Sequence, residues 1–506
     1  MFKFLNQIAD AILGTVDARP KHRLPRNERL LRWGNMLIPY KDASNHFIAF
    51  GTTGSGKSTL ARLLMQSALS NIENEDCRAF VYDAKQDAYP ILSAFIPEDR
   101  LISLNPFDQR GYAWDLCTDL NEPIRLFEFF CTLFPETSDS NPFFRLATIH
   151  CAYSVALSYH LSKLEYTFGD LLRPLQNISL LCQIVDRHPE TRSCIDLYFR
   201  DERLVSNLLA SFAVSTLPYT HIAACWEYAK EPVSIRKWFT CQKVLILGNS
   251  EIARSAIDNL NRAITRAAAV EVLNGPETFT SSTWFFLDEI SESGKHDILI
   301  SLAKKGRSKG AKIFLAVQSI AGLRNPKLYG PELTDDLLGQ IGTKFIGRME
   351  CLQTAEYLAK LLGEKRQMQA SFSYTSGEKP TSTTSYSEQI RKNVLPSKLM
   401  NLTMANKENG ITGYVMSPRF GAFKTHLSGN EIFDESLIPI RKDVSHFEAR
   451  PGEQQILRPW TPERAQYFGL DLQKPFELKG FLKSTDSALP RDLPKLTDDP
   501  MTGLFG

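Results

Sequence analysis

The stretch HFIAFGTTGSGKSTLARLL, residues 46–64, restricts the fold more than any other part of the chain. An apolar run ends in Gly51-Thr52-Thr53-Gly54-Ser55-Gly56-Lys57-Ser58, with Thr59 next, and this matches G-x-x-x-x-G-K-[ST] at every fixed position. Glycines there let the backbone wrap closely around phosphate oxygens with its amides pointing inward. The helix that follows presents its positive end to the same phosphates. Lys57 is expected to reach the β- and γ-phosphates, and Ser58 to ligate Mg²⁺. Residues 51–59 are therefore the expected cofactor-binding loop, for ATP with Mg²⁺. The flanks agree: an apolar strand precedes the loop and LARLLMQSAL follows it as a helix.

Such a loop needs a carboxylate on a neighbouring strand to orient the hydrated metal. TWFFLDE supplies Asp288 for the magnesium side, with Glu289 next to it placed to polarise the attacking water. The following run, AKIFLAVQS, ends in Gln318 and Ser319, and two readings stay open for Gln318: an amide that contacts the γ-phosphate or water, or a strand-end turn residue. Before it, LAKKGRSKGAK gathers Lys304, Lys305, Arg307, Lys309 and Lys312. Such a run is ordinarily a solvated face. The sharper reading gives Arg307 to a neighbouring subunit's γ-phosphate, with Arg348 as the second candidate.

Short apolar runs recur at HFIAF (46–50), RAFVYD (78–83), RLISL (100–104), KVLILG (243–248), TWFFLDE (283–289), AKIFLAV (311–317) and TKFIGR (343–348). They are continuous rather than alternating, as suits strands covered by helices on both faces. Interleaved with helical stretches, they predict a parallel, doubly wound α/β sheet. Residues 121–235 break the rhythm: no strand is evident, and NPFFRLATIHCAYSVALSYHL and RLVSNLLASFAVSTL read as helices. The expected organisation is an amphipathic segment and basic linker at 1–33 and a first nucleotide-binding part at 34–120. An inserted all-α domain follows at 121–235, then the second nucleotide-binding part at 236–430 and a C-terminal tail at 431–506. SFSYTSGEKPTSTTSYS (371–387) reads as a mobile loop, and 411–427 as a hairpin or final strand pair.

Net charge is +2, so no global basicity announces a nucleic acid, and a DNA contact has to be a local patch or a ring of subunits. The nine cysteines contain no C-x-x-C pair and read as buried thiols. No run of ~18 apolar residues is present, so no membrane-spanning helix is expected. The N-terminus carries a helical apolar stripe (Phe4, Leu5, Ile8, Ile12, Leu13) followed by Arg19, Lys21, Arg23, Arg26, Arg29 and Arg32. Two readings stay open for it: docking on anionic lipid, or packing on the domain or a partner.

Several blocks in order resemble the coupling ATPases of conjugation and type IV secretion, within the wider group of hexameric DNA pumps. WGNMLIPYKDASNHFIAFGTTGSGKST is similar to that family's lead-in. VYDAKQDAYP carries Asp83 and Lys85 in its D-x-K turn. LNPFDQRGYAWDL matches its N-P block through Asn105, Pro106, Arg110, Trp114 and Asp115. WFFLDEIS, GRSKGAKIFLAVQS and the late GYV segment complete the order, over about 30 to 427. The resemblance implies a RecA-type P-loop core with an inserted all-α domain and a homo-hexamer with ATP sites between neighbours. It further implies DNA in the central channel, single-stranded with a relaxase-type protein, and secretion-channel or membrane partners. By the same likeness Gln318 becomes a γ-phosphate sensor and Arg307 the arginine acting in trans. The family's N-terminal transmembrane helices find no counterpart here. The expected location is the cytoplasm, with peripheral contact on the inner face of the bacterial plasma membrane as an open addition.

The leading function is thus an ATP hydrolase that recruits and pumps DNA. The alternatives are a cytoplasmic DNA translocase unconnected to secretion, a secretion or pilus ATPase acting on protein alone, and a docking protein that uses nucleotide only as a switch. Arg324 and Lys327 in LRNPKLYG, and the Ser/Thr-rich loop, are the candidate channel-facing segments.

Overall fold

The computed structural model describes residues 29–136, 141–199, 201–289, 294–375, 381–435 and 437–473. The N-terminal apolar stripe and residues 474–506 of the expected tail lie outside the described residues. The chain forms two units. An α/β unit takes the segment ending at Pro135, Thr167–Gly169 and Pro218–Arg458, and a helical unit takes Glu136–Tyr166, Asp170–Leu217 and the chain from Pro459.

The strands, in chain order, are β1 (Leu30–Trp33), β2 (Met36–Pro39), β3 (Phe47–Phe50), β4 (Cys77–Asp83), β5 (Leu101–Ser103), β6 (Tyr112–Trp114), β7 (Lys230–Val233), β8 (Val244–Gly248), β9 (Ser282–Asp288), β10 (Ala311–Val317), β11 (Thr343–Ile346), β12 (Glu364–Thr375), β13 (Thr381–Lys392), β14 (Ile411–Ser417) and β15 (Gly421–Leu427). One nine-stranded sheet runs β15-β14-β11-β3-β10-β9-β4-β8-β5. From β11 to β5 every pairing is parallel, and β14 and β15 close one edge antiparallel. The seven apolar runs noted in the sequence are its seven parallel strands. Every residue of β3, β4, β8 and β10 is buried, which is why those runs carry no alternation.

On one face, helix Lys57–Leu69 buries Leu60, Leu63 and Leu64 over Phe47, Trp284, Phe286 and Phe314. The Trp284 and Phe286 rings stack at 5.3 Å. At the start of β3 lies a buried polar exception, His46. Its Nδ1 accepts from the Ile313 amide at 3.2 Å and its Nε2 lies 3.2 Å from the Ala303 carbonyl. The ring is therefore neutral, with its proton on Nε2, and burial holds its pKa down to about 4.

In the helical unit, Asn141 and Asn177 cap helices Pro142–Leu161 and Ile178–Val185 by accepting backbone amides. Its core holds the thiols of Cys151, Cys182 and Cys194. The buried carboxylate of Asp170 accepts from Trp460 Nε1 and Arg464 Nη2, each at 2.6 Å, and pairs with Arg173 at 3.5 Å. Phe468 packs on Tyr159 at 4.6 Å, so residues 459–470 complete this unit. Among the described helices, Arg203–Glu227 alone has the length and mean hydropathy, 1.3, to cross a bilayer. It is partly packed: Leu208 and Phe212 are buried in its helical-unit part and Tyr219 and Ile222 in its α/β-unit part, Val214 and Leu217 are exposed, and Pro218 lies inside it.

The bounds depart from the sequence reading, since residues 121–135 and 218–235 belong to the α/β unit and 459–470, expected as tail, to the helical unit, and two further features depart as well. A short strand, β7, falls within 121–235. It pairs with β6 through mostly exposed residues, so no apolar run marks it. The described parts of the Ser/Thr-rich stretch, 371–375 and 381–387, are not loop but paired strand in an antiparallel hairpin: β12 and β13 pair from Glu364↔Lys392 to Thr375↔Thr381, and residues 376–380 lie outside the described residues. Its alternation puts Met368, Phe372, Tyr386 and Ile390 on one face, all exposed, opposite a face of Gln and Ser.

Candidate nucleotide-binding site

Strand register assembles the site. Phe50 pairs with Val317 and Asp288 with Ala316, while Tyr82 pairs with Leu287. The C-terminal ends of β3, β10, β9 and β4 are therefore level. Gly51, Gln318, Glu289 and the turn after Asp83 emerge at one edge, where parallel sheets gather their ligands.

The loop of residues 51–59 is shaped by its glycines. Gly56 has φ +93, and a Cβ there would meet Ile411 at 2.7 Å, so no other residue fits. The loop is braced from both sides of the hairpin. The Thr52 amide donates to the Arg348 carbonyl at 2.8 Å, and the Ala405 amide to the Gly54 carbonyl at 2.9 Å. Thr53 and Gly54 are exposed, whereas Ser55 and Lys57 are buried. Lys57 Nζ donates to the carbonyls of Gly51 at 2.7 Å and Thr52 at 3.1 Å. Burial lowers its pKa, against the opposing pull of Asp288 and Glu289.

Ser58 Oγ donates to Asp288 Oδ2 at 3.0 Å, which joins the helix after the loop to the acid strand. Gln318 Nε2 donates to Glu289 Oε1 at 3.3 Å. Glu289 has φ +56, a left-handed conformation that costs a non-glycine residue on the order of 1 kcal/mol or more. Lys57, Ser58, Asp288, Glu289 and Gln318 thus converge, as their positions in the sequence suggested. A further residue joins them that the sequence reading did not place in the site. Lys85 Nζ lies 2.9 Å from Ser58 Oγ, 3.5 Å from Asp288 Oδ2 and 3.4 Å from Glu289 Oε1. The available signal was a lysine two residues past the end of β4, the neighbour of the acid strand.

The donor set fits a magnesium-bound nucleotide. Asp288 Oδ1 and Ser55 Oγ are buried without a hydrogen-bond partner, as is Arg348 Nε beside the loop. Buried polar atoms are rarely left unpaired, and these lie where a hydrated metal and phosphate oxygens would be bound. Ser58 and Asp288 would hold the metal, through a hydroxyl and a carboxylate.

The candidate arginines lie apart. Arg307 is exposed on the turn before β10, at the strand's opposite end, roughly 20 Å from the loop by strand length. It does not meet the nucleotide loop of its own chain. Arg348 lies against that loop, and its Nη1 donates to the Leu402 carbonyl at 3.3 Å. Arg324 is paired with Asp335 at 2.6 Å, while Lys327 is exposed. The N-P block is architectural. The Asn105 carboxamide accepts from the Phe107 amide at 3.1 Å, Arg110 pairs with Asp108 at 2.7 Å, and Trp114 Nε1 donates to Asp119 at 2.6 Å.

A family model described as the type IV secretion-system coupling protein DNA-binding domain matches residues 31–420. Coupling protein TraD of Escherichia coli (strain K12) is 23% identical over 359 residues, 69% of this chain. The chain spans about half, 48%, of that relative's length. The unbound monoclinic form of the bacterial conjugative coupling protein TrwBdeltaN70 superposes with a TM-score of 0.65 at 19% identity, covering 84% of this chain and 92% of that one. Plasmid coupling protein TrwB in complex with ADP and Mg²⁺ gives 0.63 at 18% identity, covering 84% and 94%. At these identities the structural likeness is one of fold.

Proposed function

The chain belongs to the type IV secretion-system coupling protein family, and on that premise we propose that it is a Mg²⁺-dependent ATP hydrolase that recruits DNA to a secretion channel and drives it through a ring of six subunits. The observation that carries the reading is the convergence of Lys57, Ser58, Asp288, Glu289 and Gln318 at one sheet edge. Bound Mg·ATP supplies the reactive γ-phosphoryl group and the charge that neutralises its oxygens. Lys57 turns from its own loop carbonyls to the phosphates. Glu289 takes up the proton of the attacking water, and Gln318, bonded to Glu289, fixes that carboxylate's direction. Arg307, exposed and far from its own loop, is proposed to serve a neighbouring subunit's site.

The DNA side of the reading rests on the family and on the β12–β13 hairpin. Exposed Phe372 and Tyr386 share a surface with Arg366, which pairs with Glu388 on that face at 3.5 Å, and Lys365, Arg391 and Lys392 lie at the hairpin's base. Aromatic faces with nearby cations suit unpaired bases and their phosphates. Both stems of the hairpin lead into the segments bonded to Thr52 and Gly54, a direct route from nucleotide to hairpin. Attachment to a membrane is proposed to run through partner proteins or the N-terminal segment.

ATP turnover measured with no DNA, single-stranded DNA and double-stranded DNA tests the proposal. Stimulation by DNA, falling as salt rises, supports the pump. Turnover indifferent to DNA would replace it with the protein-only secretion ATPase.

A further inference from the structure

Three groups surround one cation at the site, and that cation belongs to the protein. The Lys85 ammonium lies within hydrogen-bonding or ion-pairing distance of Ser58 Oγ, Asp288 Oδ2 and Glu289 Oε1. Ser58 and Asp288 are the pair that would hold magnesium. A divalent ion entering at Ser58 Oγ and Asp288 Oδ1 meets the Lys85 ammonium held against the same two side chains, and the two like charges repel. We propose that Lys85 is a positioning residue that holds Ser58, Asp288 and Glu289 in register and is displaced from Ser58 and Asp288 when Mg²⁺ enters with the nucleotide. The inference rests on the site's reading as a Mg·nucleotide centre, and adds to it a competition within the chain itself.

The aim of Lys85 is built into the turn that carries it. The Asp83 carboxylate accepts the amides of Asp87 at 3.0 Å and Ala88 at 3.1 Å. Gln86, at φ +57, donates its side-chain amide to the Asn249 carbonyl beyond β8. Asp87 pairs at 2.6 Å with Arg62 of helix Lys57–Leu69. The turn is thereby fixed to the strand on one side and to the phosphate-loop helix on the other, while the Lys85 side chain stays 43% exposed and free to swing. Burial works against its charge, but Asp288 and Glu289 outweigh it, so the ammonium keeps its proton more firmly than an ordinary lysine.

Competition predicts effects of opposite sign, which a loss of structure does not give. ADP binding to the full chain would be measured by calorimetry in EDTA, then against rising Mn²⁺ with paramagnetic resonance reporting bound metal. In Lys85→Gln, ADP affinity in EDTA is expected to fall about threefold or more, because the protein's own cation near the phosphates is gone. The Mn²⁺ needed for half-saturation at fixed ADP is expected to fall about fivefold or more, because Asp288 no longer has a rival cation. Lys85→Arg keeps the charge and should stay near wild type in EDTA. Asp288→Asn should remove the Mn²⁺ effect. If both affinities in Lys85→Gln move the same way, or neither moves while wild type binds ADP normally, the proposal is overturned. If wild type binds no ADP with or without metal, the nucleotide reading itself fails and this inference falls with it.

Discussion

Asp288 in the α/β unit and Asp170 in the helical unit are both well-covered carboxylates, with opposite surroundings. Asp170 is closed in: an indole N–H and two guanidinium groups meet it, and its charge is matched within the unit. Asp288 is left unfinished. One oxygen accepts from Ser58 and attracts Lys85, while the other is buried without a partner. Glu289 beside it holds a left-handed backbone angle, and Gln86 across the site does the same. A buried carboxylate with both oxygens engaged is architecture, whereas one with an oxygen left without a partner, and strain around it, marks where a ligand completes the structure.

The strongest way to break that contrast is Glu289→Gln. It should lower ATP turnover on the order of 10³-fold while ADP binding and the unfolding midpoint stay unchanged; a matching loss of stability would mean that Glu289 is architecture like Asp170. The converse change, Asp170→Ala, strands Arg464 and Arg173 beside a buried gap. It should cost about 3 kcal/mol in denaturant unfolding of the helical unit, with ADP affinity untouched.

Acid separates the units next. In the unfolded chain His46 takes its proton near pH 6.5, but in the fold only near 4. Its contribution is thus present above pH 6.5 and lost as pH falls toward 4. The stability advantage of wild type over His46→Gln should shrink by ~2 kcal/mol between pH 7 and pH 5 in urea titrations; an advantage constant over that range would refute the neutral, buried ring. Gln318→Ala is the smallest: about tenfold slower turnover with nucleotide affinity kept, since it removes one hydrogen bond from Glu289.

The parallel strands and the phosphate loop were legible because both follow from short-range rules. A strand buried on both faces must be continuously apolar, and a phosphate cradle must have glycine where φ is positive. Asp288, Glu289 and Gln318 were legible because each ends such a strand. The β12–β13 hairpin was hidden by composition: Ser and Thr are frequent in it, and in the sequence its period of two, carried by Met368, Ala370 and Phe372, is followed by Gly377 and Pro380, which read as breakers. Lys85 was visible in its D-x-K turn, but its place in the site was hidden because that depends on which strand neighbours β4, a matter of topology rather than spacing. Arg307 stands out as charge in the sequence, yet the single chain leaves it far from its own phosphate loop.

The buried thiols of the two units also divide between them. Cys151, Cys182 and Cys194 are enclosed in the helical unit, and Cys77 and Cys225 in the α/β unit. Burial raises the pKa of Cys151, Cys182, Cys77 and Cys225, whereas hydrogen bonds from Thr354 hold Cys351 below the ordinary thiol. An alkylating reagent followed by peptide mass spectrometry therefore reads the native chain as a stopwatch with two hands. Cys351 should be tagged first, and the order in which the enclosed cysteines follow tells which half of the protein opens sooner, with no introduced label.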